Sequence, residues 1–260
     1  MAESRKLSVV IIALNESRRI AGCLESVQWA DDIVVVDSGS TDGTVELARN
    51  YGARVHDVPW IGFGPQKQAA VNLAAYDMVF NIDCDERVTP ELAEEIKQIL
   101  ASDEKKAAYS VPRRTFLGLN EIRHCGWYPD RTVRLFDRRM ASFSSELVHE
   151  KVVVNGETGI CHGELLHYSF DGFSDLIVKM NRYTDIGAAQ LLARGKKSCF
   201  SQVVFRPLYA FSKTFFLQKG FLDGFAGFAV AVSNAVSVFY KYAKLRELQH
   251  AKSEKNREAS

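Results

Sequence analysis

The sequence predicts an α/β protein built on a mostly parallel sheet, with a mixed continuation and a helical C-terminal region. Three observations carry this. Short apolar runs alternate with helical stretches over the first hundred residues, the pattern of strand–helix units feeding a parallel sheet. The first run, from Leu7 to Leu14, is continuously apolar, as a strand covered on both faces requires. From Asp175 onward the spacing is helical.

In chain order, Leu7 to Leu14 is the first strand, and Asn15-Glu16-Ser17 turns the chain. Ile20, Leu24 and Val27 share one helical face within 18–27. Ile33-Val34-Val35-Val36 is a second buried strand and ends at Asp37-Ser38-Gly39-Ser40-Thr41-Asp42-Gly43-Thr44; a helix follows to about Tyr51. Residues 53–56 read as a short third strand, 65–76 as a helix and 78–82 as a fourth strand. Thr89 can cap a helix over 90–100, with Pro90 in its first turn and Glu91, Glu94 and Glu95 facing its positive end. Residues 108–170 hold short apolar segments, turns and many charges, which read as a mixed or antiparallel extension of the sheet. The expected division is an α/β domain over 1–174, its first part about 1–105 and its second about 106–174, then a helical region over 175–260.

The apolar share of 47% lets 260 residues bury a substantial core. The charge is uneven. Residues 176–260 hold 14 Lys and Arg against 5 Asp and Glu, and residues 1–175 hold 19 against 27. A basic tail on an acidic body suggests a polyanionic partner, or an ordinary solvated basic face. The five cysteines form no C-x-x-C, which argues against a disulfide framework or zinc knot and for a reducing compartment. No charged and apolar leader precedes the first strand, so a cytosolic-facing protein is expected.

In a parallel sheet, ligands sit beyond the carboxyl ends of the strands. Here those ends are Asn15-Glu16, Asp37-Ser38-Gly39 and Asp83-Cys84-Asp85, which should line one crevice. A dinucleotide fold needs G-x-G-x-x-G after its first strand; this chain has no glycine there until Gly22 and no Walker A loop. An NAD-dependent oxidoreductase is therefore a weak alternative. In an extended segment Asp83 and Asp85 project to the same side, with Cys84 turned away. Two close carboxylates repel unless a cation sits beside them, and hard oxygen ligands favour Mg²⁺ or Mn²⁺ shared with substrate phosphates. The other reading is a solvated acidic turn with Glu86 and Arg87 as surface neighbours.

The ordered set Asn15-Glu16, Val34 to Thr44, Gln66-Lys67 and Asp83-Cys84-Asp85-Glu86 resembles the inverting, nucleotide-sugar-dependent glycosyltransferases of family 2, which have the GT-A fold. Gly126-Trp127-Tyr128-Pro129-Asp130 with Arg131 and Arg134, Val148-His149-Glu150 and the basic-aromatic C-terminus resemble its bacterial lipopolysaccharide-core glucosyltransferase branch. The resemblance implies a hexosyltransferase using UDP-glucose or a similar donor and Mg²⁺ or Mn²⁺. Asp37 would accept hydrogen bonds from the base, or else serve as a helix N-cap partner in a turn, with Gly39 in the same turn; Ala13, Asn15 and Glu16 would wall the nucleoside pocket, or Glu16 would start the following helix. Lys67 would reach the phosphates, or else be surface charge on a helix. Asp83 would lie near ribose and metal, and Asp85 would ligate the metal. Glu150 would be the general base, or else a surface glutamate paired with Lys151. His149 would orient the acceptor, and His167 would assist the metal or diphosphate; either could instead be a packed histidine.

Seven arginines between Arg113 and Arg139, against three acids, suit a phosphorylated or acidic acceptor such as a lipopolysaccharide core, and Arg131 and Arg134 also the donor diphosphate. Arg138-Arg139 reads as a hairpin tip. Within 203–219, Phe205, Leu208, Tyr209, Phe215 and Phe216 share a helical side flanked by Arg206 and Lys213, an interfacial pattern or a packed helix. The uncharged stretch 224–240 is too polar and short to be expected to span a bilayer. Peripheral contact with an anionic membrane, at the cytoplasmic face of the bacterial inner membrane, is the expectation; nucleic acid is not, because no reading module is present. A non-catalytic membrane adaptor of GT-A shape is the alternative from another class.

Overall fold

A computed structural model describes residues 4–103, 106–144 and 150–258. Contacts divide the chain into two compact units, 1–114 with 129–167 and 115–128 with 168–260. Segments 115–128 and 168–174 therefore group with the C-terminal helices, where the sequence placed the break at 174.

In the first unit β1 (Leu7–Ala13), β2 (Asp32–Asp37), β3 (Arg54–Asp57) and β4 (Met78–Asn81) run parallel. Between them lie α1 (Ile20–Glu25), α2 (Thr44–Asn50) and α3 (Phe63–Asn72). Next come β5 (Glu86–Val88), α4 (Pro90–Ala101), β6 (Ala108–Leu117), β7 (Asn120–Ile122) and β8 (Asp130–Asp137). The chain continues as β9 (Ala141–Phe143), β10 (Val152–Val154), β11 (Thr158–Ile160) and β12 (Leu165–Phe170). The large sheet has the order β3-β2-β1-β4-β8-β6-β12-β5, with β7 and β11 also paired to β6. From β4 outward the pairing turns antiparallel, β8 against β4 and β6, and β12 against β5. This mostly parallel sheet with flanking helices and a mixed continuation is GT-A-like, as the resemblance implied.

The continuous apolar runs are explained by two buried faces. Val9, Ile11, Val35 and Phe80 pack with Ile20, Leu24, Leu92 and Ile96 on one side. Their neighbours Val10, Val34, Val36 and Val79 pack with Ala70, Val71 and Phe136 on the other. Thr89 caps α4, its hydroxyl accepting from Leu92 N at 3.2 Å. Arg138 and Arg139 lie in a turn after β8, but the tip leads to a separate β9–β10 ribbon and not back along β8. Both arginines pair with Asp77, so their charge is locally used.

The second unit holds α5 (Phe173–Ala193), α6 (Phe200–Ser212), a π-helical turn (Lys213–Leu217), a 3-10 turn (Gly220–Asp223) and α7 (Gly224–Glu258). The uncharged stretch runs on into the charged segment as one 35-residue helix, because no Pro or Gly interrupts it after Gly227. By length and composition, the 3-10 turn and most of α7 together, residues 220–252, are long and apolar enough to cross a membrane, where the uncharged stretch 224–240 alone is shorter.

Asp32 ties the parallel strands together. It accepts from Ser8 Oγ at 2.7 Å, Arg54 Nε at 2.8 Å and Ala75 N at 2.9 Å. Burial pushes its carboxyl up, but the hydrogen bonds from Arg54, Ala75 and Ser8 outweigh that and hold it below the usual range. A depressed carboxylate contributes stability above its unfolded pKa and loses it as pH falls. Asp32→Ala should therefore cost about 2 kcal/mol near neutrality by denaturant titration, and the gap from wild type should narrow below about pH 4.

Candidate active site

The site forms at the carboxyl ends of β1, β2 and β4. The loop after β2 is folded by Asp37, which is 3% exposed. Its carboxylate accepts from Gly39 N at 2.9 Å, Ser40 N at 2.7 Å and Ser40 Oγ at 2.5 Å. Gly39 and Gly43 take φ of +96° and +88°, values that strain a side chain. Asn15, at φ +54°, reaches across, its Oδ1 accepting from Thr41 N at 2.9 Å. Ala13 is buried at the end of β1, and Glu16 N donates to Thr44 Oγ1 at 2.9 Å. The residues expected at the nucleoside pocket are thus brought together, with Asp37 engaged in shaping its own loop.

The acidic segment departs from the extended form. β4 ends at Asn81, and Asp83 to Glu86 form a turn closed by Glu86 N donating to Asp83 O at 3.0 Å. Asp83 and Asp85 consequently meet different partners. Arg134 Nη2 lies 2.8 Å from Asp83 Oδ2 and 2.5 Å from Glu86 Oε1, and its Nη1 donates to Asn81 Oδ1 at 2.9 Å. Lys67 Nζ lies 3.0 Å from Asp83 Oδ1 and 3.0 Å from Glu150 Oε1. Both Asp83 oxygens are therefore engaged by cationic side chains, one by Lys67 and one by Arg134. Burial works to raise the Asp83 carboxyl, but the Lys67 and Arg134 charges outweigh it and hold it far below the usual range.

Asp85 instead faces β12, where His167 Nε2 lies 3.5 Å from its Oδ2. His167 pairs in register with Glu86, which is why the histidine arrives beside the turn. Burial raises the Asp85 carboxyl, and the His167 hydrogen bond and charge more than offset this, leaving it lowered. Among the described residues no three His, Cys, Asp or Glu side chains gather as a metal cage. A carboxylate and an imidazole fit a Mg²⁺ or Mn²⁺ that draws its other ligands from a diphosphate and water.

Lys67 is 6% exposed, so it is no surface lysine. Glu150 pairs with it across the cleft, which corrects the alternative of a surface pair with Lys151. His149 lies outside the described residues. Arg131 Nη1 donates to Cys161 O at 2.9 Å, and its side chain lines the same cleft of about 430 Å³ as Lys67, Asp83, Arg113, Arg134 and Glu150. The sequence reading missed Glu86: it is 0% exposed, a core acid and not a surface neighbour. It holds Arg134 and Arg113 and accepts from Asp83 N at 3.0 Å. Asn81, also 0% exposed, was missed as well. Their only signal is polar residues closing an apolar strand.

A family model described as Glycosyl transferase family 2 matches residues 8–163. The chain is 34% identical over 256 residues to an uncharacterized glycosyltransferase of Rickettsia typhi, covering 94% of this chain and 88% of that one. It is 34% identical over 262 residues to the lipopolysaccharide core biosynthesis glycosyltransferase LpsC of Rhizobium meliloti, covering 96% and 95%. Among solved structures it is similar to glucosyl-3-phosphoglycerate synthase from Mycobacterium tuberculosis in complex with Mn²⁺, UDP and glucosyl-3-phosphoglycerate. There the identity is 28%, the coverage 43% of this chain and 44% of that one, and the TM-score 0.36.

Removing one side of a buried ion cluster leaves the other charges uncompensated, at a cost of about 3–5 kcal/mol. Arg134→Ala should lower unfolding free energy by about that amount. Arg139→Ala, at an exposed pair with Asp77, should change it by under about 1 kcal/mol. Chemical denaturation of the two variants checks this.

Proposed function

The chain belongs to glycosyl transferase family 2, and on that premise we propose that it transfers a hexose with inversion, glucose from UDP-glucose, to a lipopolysaccharide-core or similar membrane glycolipid. The observation that carries the proposal is Lys67, whose ammonium spans from Asp83 to Glu150 at 3.0 Å each way. It links the residue expected beside the donor to the residue expected beside the acceptor. The likeness to LpsC over almost its whole length supports the acceptor class.

Asp85 and His167 would hold the divalent metal; when bound, it supplies positive charge to the departing diphosphate. Lys67 turns toward the diphosphate, whose charge outbids a carboxylate, and lets go of Glu150. Glu150 then accepts the proton of the acceptor hydroxyl as its oxygen attacks the anomeric carbon. The bond between that carbon and the phosphate oxygen breaks on the opposite face, and its electron pair stays with UDP. Arg131 and Arg113, in the same cleft, orient anionic groups of acceptor or donor. Asn15, Glu16 and the Asp37 loop enclose the nucleoside.

The acceptor is met at a membrane. On α6 and the following turn Phe205, Leu208, Tyr209 and Phe216 are all exposed, which supports peripheral seating on the cytoplasmic face of the inner membrane.

Three variants test the chemistry. Glu150→Gln should lower kcat by about 10²–10⁴-fold while UDP still binds by calorimetry, no more weakly than to wild type. Asp85→Ala should abolish both turnover and the Mn²⁺ dependence of UDP binding, with the circular dichroism spectrum unaltered. Lys67→Met should raise the donor KM. Absence of any heat with UDP and Mn²⁺ in the wild-type protein would favour a non-catalytic adaptor.

A further inference from the structure

In the second unit the end of α5 meets the last turns of α7 around a cavity of about 480 Å³. Lys196, Lys197, Arg246, His250 and Lys252 line it, and no Asp or Glu does. Among the described residues no carboxylate pairs with these four Lys and Arg side chains, whereas Lys244, one turn away on α7, is taken by Asp185. All five of these side chains are exposed, so solvent screens them in the free protein, and together they offer an anion several charge-assisted contacts.

The cavity wall is built and held in place. α5 ends at Gly195, φ +67°, with Gly195 N donating to Leu192 O and Lys196 N to Leu191 O, both at 2.9 Å. The last carbonyls of the helix are thereby satisfied by backbone, so the lysine side chains are not needed to cap it. Gln249 of α7 then clamps the loop: its Nε2 donates to Lys196 O at 2.8 Å, and its Oε1 accepts from Ser198 N at 3.2 Å. Ser198 Oγ adds a bond to Tyr242 O at 3.0 Å. Immediately after this loop α6 opens with Phe200, 74% exposed, and goes on to the exposed Phe205 and Leu208. A cationic cavity joined within a few residues to an unpartnered apolar face has the two-part chemistry of a lipid, phosphate first and hydrocarbon beside it.

We propose that this pocket binds the phosphate of an anionic lipid headgroup and so fixes the helical unit on the membrane. It rests on the membrane seating proposed above and names the groups that recognise the lipid. It is separate from the transfer cleft, since none of its residues belongs to the donor or acceptor machinery.

The test uses the full chain, without donor or acceptor, in co-sedimentation with phosphatidylcholine vesicles with and without phosphatidylglycerol. Wild type should bind the anionic vesicles and lose them as salt rises. At about five-fold per lysine, the variant Lys196→Gln with Lys197→Gln and Lys252→Gln should bind about a hundred-fold more weakly. A second variant, Arg246→Gln with His250→Gln, should also weaken binding, by about five-fold or more, and Lys97→Gln, on the first unit, should not. Circular dichroism checks that each variant is folded. Unchanged binding by both pocket variants overturns the pocket and leaves the membrane reading standing; no binding of wild type to either vesicle overturns both. Inorganic phosphate that displaces the protein from vesicles at micromolar concentration overturns the lipid as occupant in favour of a soluble phosphate.

Discussion

One guanidinium organises this molecule. Arg134 arrives on β8 at the carboxyl end of β4 and there meets Asn81, Asp83 and the fully buried Glu86. A carboxylate with no exposed surface is tolerated only beside a cation with matched hydrogen bonds. Glu86 has both, and it spends its other oxygen on Asp83 N. The acidic turn is thus held from below by charge pairing, and its shape depends on a side chain about fifty residues further along the chain.

That turn separates the roles of its two aspartates. Asp83 is committed to Lys67 and Arg134, so it is a fixed negative point that positions cations. Asp85 points to His167 and keeps a less crowded carboxylate. The division leaves the lining of the cleft net positive before any ligand arrives, five Lys and Arg against two acids, with Lys67 shared between Asp83 and Glu150. A diphosphate entering such a site has to compete for that lysine, and in the proposed mechanism this competition couples donor binding to release of the base. The same coupling would keep Glu150 occupied when no donor is present.

The parallel half of the fold was legible because burial on both faces leaves a mark in sequence: Val9, Val10 and Ile11 are all apolar since each side of the sheet is covered. The cap at Thr89 was legible for the local reason that a cap acts within one turn. The turn at Asp83 was not, because the residues that bend it, Arg134 and Arg113, are remote in sequence. Extended geometry was the natural continuation of an apolar strand, and it mispaired the two aspartates. Glu86 was misread for the same reason: an acid beside Arg87 looks solvated until the distant guanidinium is known. Lys67 could be placed on a helix but not in the interior, since nothing on α3 announces two carboxylates across from it. The continuity of α7 through its uncharged and charged parts agrees with the helical spacing of that region, since charge, which ends a membrane-compatible stretch, does not end a helix.

The central claim is that Lys67 is the movable contact between the donor site and Glu150. A crystal structure with UDP and Mn²⁺ bound tests it most directly. The account predicts the metal on Asp85 and His167, and Lys67 Nζ within hydrogen-bond distance of a phosphate oxygen and no longer of Glu150. A complex in which UDP is bound while Lys67 still bridges Asp83 and Glu150 would contradict it.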